Sequence, residues 1–198
     1  MTKSIVIDDY GRTPKVSKNI LNVINDIPFI HEVSVMVGFV KESIHEELKK
    51  NKIETSLHLN LTDNISIENI DKNLNFIDLL FLSKKKRKFV YKEIDNQIKI
   101  YQRLYNLKYI KVNGHEHIHA VPWIYRYLYK NKNIKSIRYS NEIFLYVLKK
   151  INYLDFFKNF CAFILLKILS IYNKRKTNKL FFGILYTNNM CQKNFKKI

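Results

Sequence analysis

Two adjacent carboxylates, Asp8 and Asp9, close the apolar run Ile5-Val6-Ile7. His58 lies within Ser56-Leu57-His58-Leu59-Asn60, and Gly114-His115-Glu116-His117-Ile118-His119 follows Ile110-Lys111-Val112. Carboxylate oxygens and imidazole nitrogens are donors for divalent ions. One Asp with two His leaves positions open for water and a substrate carbonyl, as a hydrolytic metal site requires. The second Asp is then available as a base toward the water, and a further group must protonate the leaving amine. The charge to be stabilised is the oxyanion that develops when an amide is attacked. Each piece also has a structural alternative. Paired carboxylates after a strand cap helices or turn the chain, and a histidine in an apolar strand can be a satisfied core residue. The three alternating histidines are harder to explain that way, because on extended backbone His115, His117 and His119 project to one side; clustered imidazoles imply a metal or a proton relay.

These residues share a position: each stands at or near the C-terminal end of a run with strand character. In parallel α/β barrels and sheets those ends converge on one face, so residues distant in sequence meet. Strands are predicted at Ser4 to Asp8, Glu32 to Val37, Thr55 to Asn60, Tyr109 to Asn113, Ser136 to Arg138 and Leu180 to Tyr186. Helices are predicted at Val16 to Asn25, Lys41 to Asn51, Arg87 to Tyr105, Pro122 to Lys130 and within Glu142 to Asn173. The alternation argues for an α/β fold of parallel strands joined by helical crossovers. In Arg87 to Tyr105 the residues Val90, Ile94, Ile98, Tyr101 and Leu104 recur every three or four positions and define one buried stripe. Leu61 to Lys85 reads as a long substrate loop, and Asn173 to Lys179 as a basic surface loop.

The chain has 198 residues, 46% of them hydrophobic, which suits one domain spanning 1–198. Its net charge of +18 invites a nucleic-acid reading, but the lysines are dispersed rather than gathered on one face, so no specific nucleic acid is expected. The densest cluster, Lys84-Lys85-Lys86-Arg87-Lys88, precedes a helical pattern and reads as a solvated helix start or loop. Two isolated cysteines, Cys161 and Cys191, fit a reducing cytoplasm, and the N-terminus lacks signal-peptide character. Phe156 to Tyr172 is the most apolar stretch, but Lys158, Asn159 and Lys167 interrupt it, so a buried or interfacial helix is expected rather than a transmembrane span. Peripheral membrane contact and a homodimer are compatible with the sequence.

At these residues the chain resembles the YdjC-like carbohydrate deacetylases. Val6-Ile7-Asp8-Asp9-Tyr10-Gly11 matches the family's D-D-[FY]-G opening, and Thr13-Pro14 through Ile20-Leu21 resembles the segment after it. Glu32 to Val37 is similar to the family's T-S-x-x-x-M-V strand, Leu57-His58-Leu59-Asn60-Leu61-Thr62 to G-x-H-x-N-L-T, and Glu93 to Gln97 to an E-x-x-x-Q helix. Asn113-Gly114-His115-Glu116-His117-Ile118-His119 is close to D-G-H-Q-H-x-H, Arg138 with Glu142 resembles R-x-x-x-E, and Phe182-Gly183 extends the likeness.

The resemblance implies a distorted (β/α) barrel that removes acetyl groups from an N-acetylated sugar or glycolipid. It makes Asp8 the general base and Asp9, His58 and His115 the metal ligands. Asn60, Asn113, His117, His119, Arg138 and Glu142 become residues facing substrate or supporting the ligands. The cofactor implied is a divalent metal, magnesium by family habit, with zinc compatible with the ligand set. Two departures stand out. Asn113 replaces an Asp, putting a neutral amide where a carboxylate would orient an imidazole, a change expected to weaken metal binding. The family's later Glu-Leu-x-x-His-Pro-Gly block, whose His is a candidate acid, is not found before Ile198. The barrel is therefore expected to be incomplete at its C-terminus, with a sheet edge left to be paired or covered. His117 or His119 could then supply the acid, or the chain could be a carbohydrate-binding pseudoenzyme.

Overall fold

The computed structural model describes residues 5–27, 29–63, 65, 67–68, 70, 73–138 and 153–172. Contacts divide the chain into two compact units, Met1–Ile137 and Arg138–Ile198. The first unit alternates strand and helix: β1 (Ile5–Tyr10), α1 (Pro14–Asp26), β2 (Ile30–Val35), α2 (Glu42–Lys50) and β3 (Glu54–Leu59), then α3 (Phe76–Phe81) and α4 (Lys84–Tyr105). It continues through β4 (Ile110–Gly114), a 3-10 segment (His115–Ala120), α5 (Pro122–Lys130) and β5 (Ile134–Ile137). The described part of the second unit is Arg138 and α6 (Tyr153–Tyr172). The expected Leu180 to Tyr186 strand, the Asn173 to Lys179 loop, Glu142, Phe182-Gly183 and Cys191 lie outside the described residues.

The five strands are all parallel and stand in sequential order, β1-β2-β3-β4-β5. A doubly wound sheet reverses its strand order at a switch point; here the order runs one way, consistent with a (β/α) barrel-like fold. The chemistry of the sequence explains the elements. Thr13 caps α1 by accepting a hydrogen bond from the Val16 amide, and Pro14 opens the helix with φ already suited to it. In α4 the residues Val90, Ile94, Ile98, Tyr101 and Leu104 are all buried, as their spacing predicts. Each such burial contributes about 1.5–3 kcal/mol. Lys84, Lys85 and Lys86 are exposed in the first turn of α4. Arg87 behaves differently: it donates to the Leu82 carbonyl and lies over the Trp123 ring, 4.9 Å from its centre.

The expected long loop Leu61 to Lys85 contains α3. Its capping box, in which the side chains of Asn75 and Asp78 bond each other's backbone amides, starts a helix of six residues. That is less than two turns, too short for a periodic signal. Among the described residues no helix is long and apolar enough to cross a membrane.

Candidate metal centre

The centre begins where β1 stops being regular. Ile7 pairs with Val33 and Tyr10 with Val35, so Asp8 and Asp9 occupy an irregularity in the ladder. Asp9 adopts φ 72, in the left-handed region, and Gly11 adopts φ 88. A non-glycine residue there costs roughly 1 kcal/mol or more, an expense typical of functional sites. The bend is held by the Arg12 amide donating to the Asp9 carbonyl at 3.1 Å and the Gly11 amide donating to the Ser17 hydroxyl at 3.0 Å. Gly11 is obligatory on two grounds: its positive φ, and the Met36 carbonyl oxygen, which a Cβ would meet at 2.2 Å. Adjacent carboxylates on a straight strand face opposite sides; the bulge removes that restriction.

Neighbouring strands bring the imidazoles. His58 belongs to β3 and His115 follows β4, and His58 pairs in register with Asn113. Oδ1 of Asp9 lies 3.1 Å from Nε2 of His58 and 3.1 Å from Nδ1 of His115. The three residues each bring a donor atom within 4.8 Å of the others, a grouping that could hold one metal ion. Burial would raise the Asp9 carboxyl, but hydrogen bonds with His115 and His58 outweigh it and hold Asp9 well below the ordinary carboxylate range. Burial would likewise lower His115, yet its bond to Asp9 leaves it raised above 6.5. Asp9 is thus an anion, the form that binds metal.

The donor set fits a cation for a further reason. Nδ2 of Asn113 donates to the Ser34 hydroxyl at 2.6 Å, so its Oδ1, 2.6 Å from Nδ1 of His58, is the acceptor there. Nδ1 of His58 therefore carries a hydrogen, which leaves Nε2 as the ring atom that faces Asp9 and can bind a cation. Two lone-pair donors 3.1 Å apart repel unless a proton or cation lies between them. The Ser34 hydroxyl also bonds Ser56 at 3.1 Å, so Asn113, Ser34 and Ser56 form a buried row behind the ligand. The neutral amide that sequence comparison marks as a departure therefore occupies the orienting position itself.

The other expected residues distribute unevenly. Asp8 is half-buried in β1 immediately before Asp9, and it is not one of the three clustered donors. The expectation that His115, His117 and His119 alternate on extended backbone is corrected. His115–Ala120 is a 3-10 segment in which Glu116 (φ 49) and His117 (φ 57) are left-handed, so direction does not follow sequence parity. His115 joins Asp9; His117 and His119 stand with ring centres 6.0 Å apart, His117 partly exposed and His119 buried. Gly114 makes this turn feasible, because a Cβ there would lie 2.8 Å from Ile118 Cγ1 and 3.1 Å from His119 Nδ1. Arg138 directly follows β5.

Asn60 shapes the loop after β3. Its Oδ1 accepts from the amides of Thr62 and Asp63, and its Nδ2 donates to the Asp63 carbonyl. Gln97 bonds both the amide and the carbonyl of Asn60 and also reaches Glu93, so the E-x-x-x-Q pattern fixes the end of β3. Two residues not singled out from sequence complete the surroundings. Arg12 Nε lies 2.6 Å from Asp63 Oδ2, and Arg12 Nη1 lies 3.8 Å from Asp9 Oδ2. The sequence signal, a basic residue three positions after Asp9 and an acid three after Asn60, is too common to identify them.

A model of the YdjC-like protein family matches residues 4–198. The chain belongs to the YdjC-like family. Membership suggests carbohydrate-deacetylase-type chemistry. No curated protein matches the chain.

Proposed function

We propose that the protein is a metal-dependent hydrolase that removes the acetyl group from an N-acetylated sugar. The observation that carries this reading is the convergence of Asp9, His58 and His115 from β1, β3 and the turn after β4 onto one point. Asp9, His58 and His115 would hold the ion, with magnesium favoured and zinc compatible with the donors. A bound divalent ion supplies a lowered pKa to the attacking water and polarises the acetamido carbonyl. Asn113 keeps the His58 lone pair aimed at the centre throughout. Asp8, adjacent to Asp9 at the bulge, accepts the proton of the attacking water as the C–O bond forms. His117 and His119 are the nearest candidates in sequence to return a proton to the nitrogen as the C–N bond breaks, releasing acetate and the free amine.

Acetate release from chitobiose and from a nucleotide-linked N-acetyl sugar tests the reading. Release is expected with magnesium present and abolished by Asp8→Asn, which retains the ion, and by Asp9→Asn, which loses it. A protein that binds the ion yet releases no acetate from any N-acetylated sugar contradicts it.

A further inference from the structure

The two oxygens of Asp9 have different partners. Oδ1 faces both imidazoles at 3.1 Å, whereas Oδ2 faces the Arg12 guanidinium at 3.8 Å, an ion pair rather than a hydrogen bond. Arg12 is itself tethered on its other side, where Nε meets Asp63 Oδ2 at 2.6 Å. Asp63 is fixed in turn: its amide and carbonyl are both bonded to the Asn60 side chain, and Gln97 clasps the Asn60 backbone. A line of contacts therefore runs from the interior of α4, through the loop after β3, to the outer oxygen of the metal-binding carboxylate. Guanidinium suits this place because its planar fork can face two carboxylates at once, which an ammonium cannot do in the same geometry.

We propose that Arg12, anchored by Asp63, is a positioning residue that reserves Oδ2 of Asp9, leaving only Oδ1 for the ion and so setting which cation the site prefers. This rests on the metal-centre reading above. A carboxylate restricted to one oxygen suits a small cation that demands near-octahedral geometry, such as magnesium. Calcium, with six to eight oxygen ligands, gains from carboxylates that bind through both oxygens. Releasing Oδ2 therefore favours calcium over magnesium. Charge acts on both ions alike and cancels in the ratio; the second oxygen does not.

The test is titration calorimetry of the full chain with magnesium and with calcium, for the wild type, Arg12→Gln and Asp63→Asn. Arg12→Gln is expected to shift the ratio of calcium to magnesium affinity toward calcium by about tenfold, and Asp63→Asn to shift it the same way by less, since Arg12 remains but is no longer anchored. Arg12 is exposed, and circular dichroism establishes that each variant is folded; if Arg12→Gln does not fold, Asp63→Asn carries the test. A ratio unchanged in the folded variants, or equal losses for both ions, overturns the positioning role while the metal reading stands. A wild type that binds neither ion overturns both.

Discussion

Replacing Asn113 by alanine removes the acceptor that lies 2.6 Å from Nδ1 of His58, in a place where the histidine is 3% exposed and the asparagine 1%. A buried donor deprived of its acceptor costs about 1–3 kcal/mol. The Ser34 hydroxyl loses one partner but keeps Ser56 at 3.1 Å, which limits the second loss. The metal-free variant should therefore unfold in denaturant with a free energy lower by about 2 kcal/mol. Metal affinity should suffer separately, because the His58 ring is no longer fixed in the tautomer that aims Nε2 at the centre. Loss of such an orienting partner weakens binding by about 10–100-fold, or about 1.4–2.8 kcal/mol. Asn113→Asp is the informative companion. It again offers an acceptor to His58, and its other oxygen can accept from the Ser34 hydroxyl, so magnesium affinity should equal or exceed that of the wild type. Calorimetric titration and equilibrium unfolding of the three proteins check both quantities. Unchanged affinity in Asn113→Ala, or an Asn113→Asp variant as weak as the alanine one, would refute the reasoning that this amide orients the ligand.

Gln97→Ala should lower unfolding stability by about 2–4 kcal/mol, since it strands both the amide and the carbonyl of buried Asn60, and chemical denaturation measures it. His45, buried between the rings of Tyr10 and Tyr105, is lowered below 6.5 by burial and then by Lys49. The unfolded chain protonates this group first as pH falls, so stability present above 6.5 declines below it; a stability–pH profile should be flatter there for His45→Gln. His115, raised above 6.5 by Asp9, must lose its proton to bind an ion. Magnesium affinity should therefore rise with pH through that raised value, by up to about tenfold per pH unit, in titrations at several pH values.

Much of the strand and helix pattern was legible because it follows from local chemistry. β-branched runs locate β1 to β4, the apolar stripe of α4 is periodic over five residues, and Pro122 to Lys130 coincides with α5. The convergence of Asp9, His58 and His115 was legible through strand ends and the family pattern together. Other features were not local. The six-residue α3 depends on its capping box and on packing, with the Trp123 indole donating to the Leu79 carbonyl at 2.8 Å. The turn at Glu116 and His117 places two non-glycine residues in a conformation that residue type argues against, so an alternation rule applied to extended chain failed there. The contact of Arg12 with Asp63 joins residues 51 positions apart through side chains that sequence reads as solvated charge.

On the proposed function, Asp9, His58 and His115 together hold one divalent ion. Anomalous diffraction from a crystal of the full chain grown with manganese tests it most directly. A single strong peak is expected, held jointly by Asp9, His58 and His115 and lost in Asp9→Asn. No peak there, or a peak held by other residues, would contradict it.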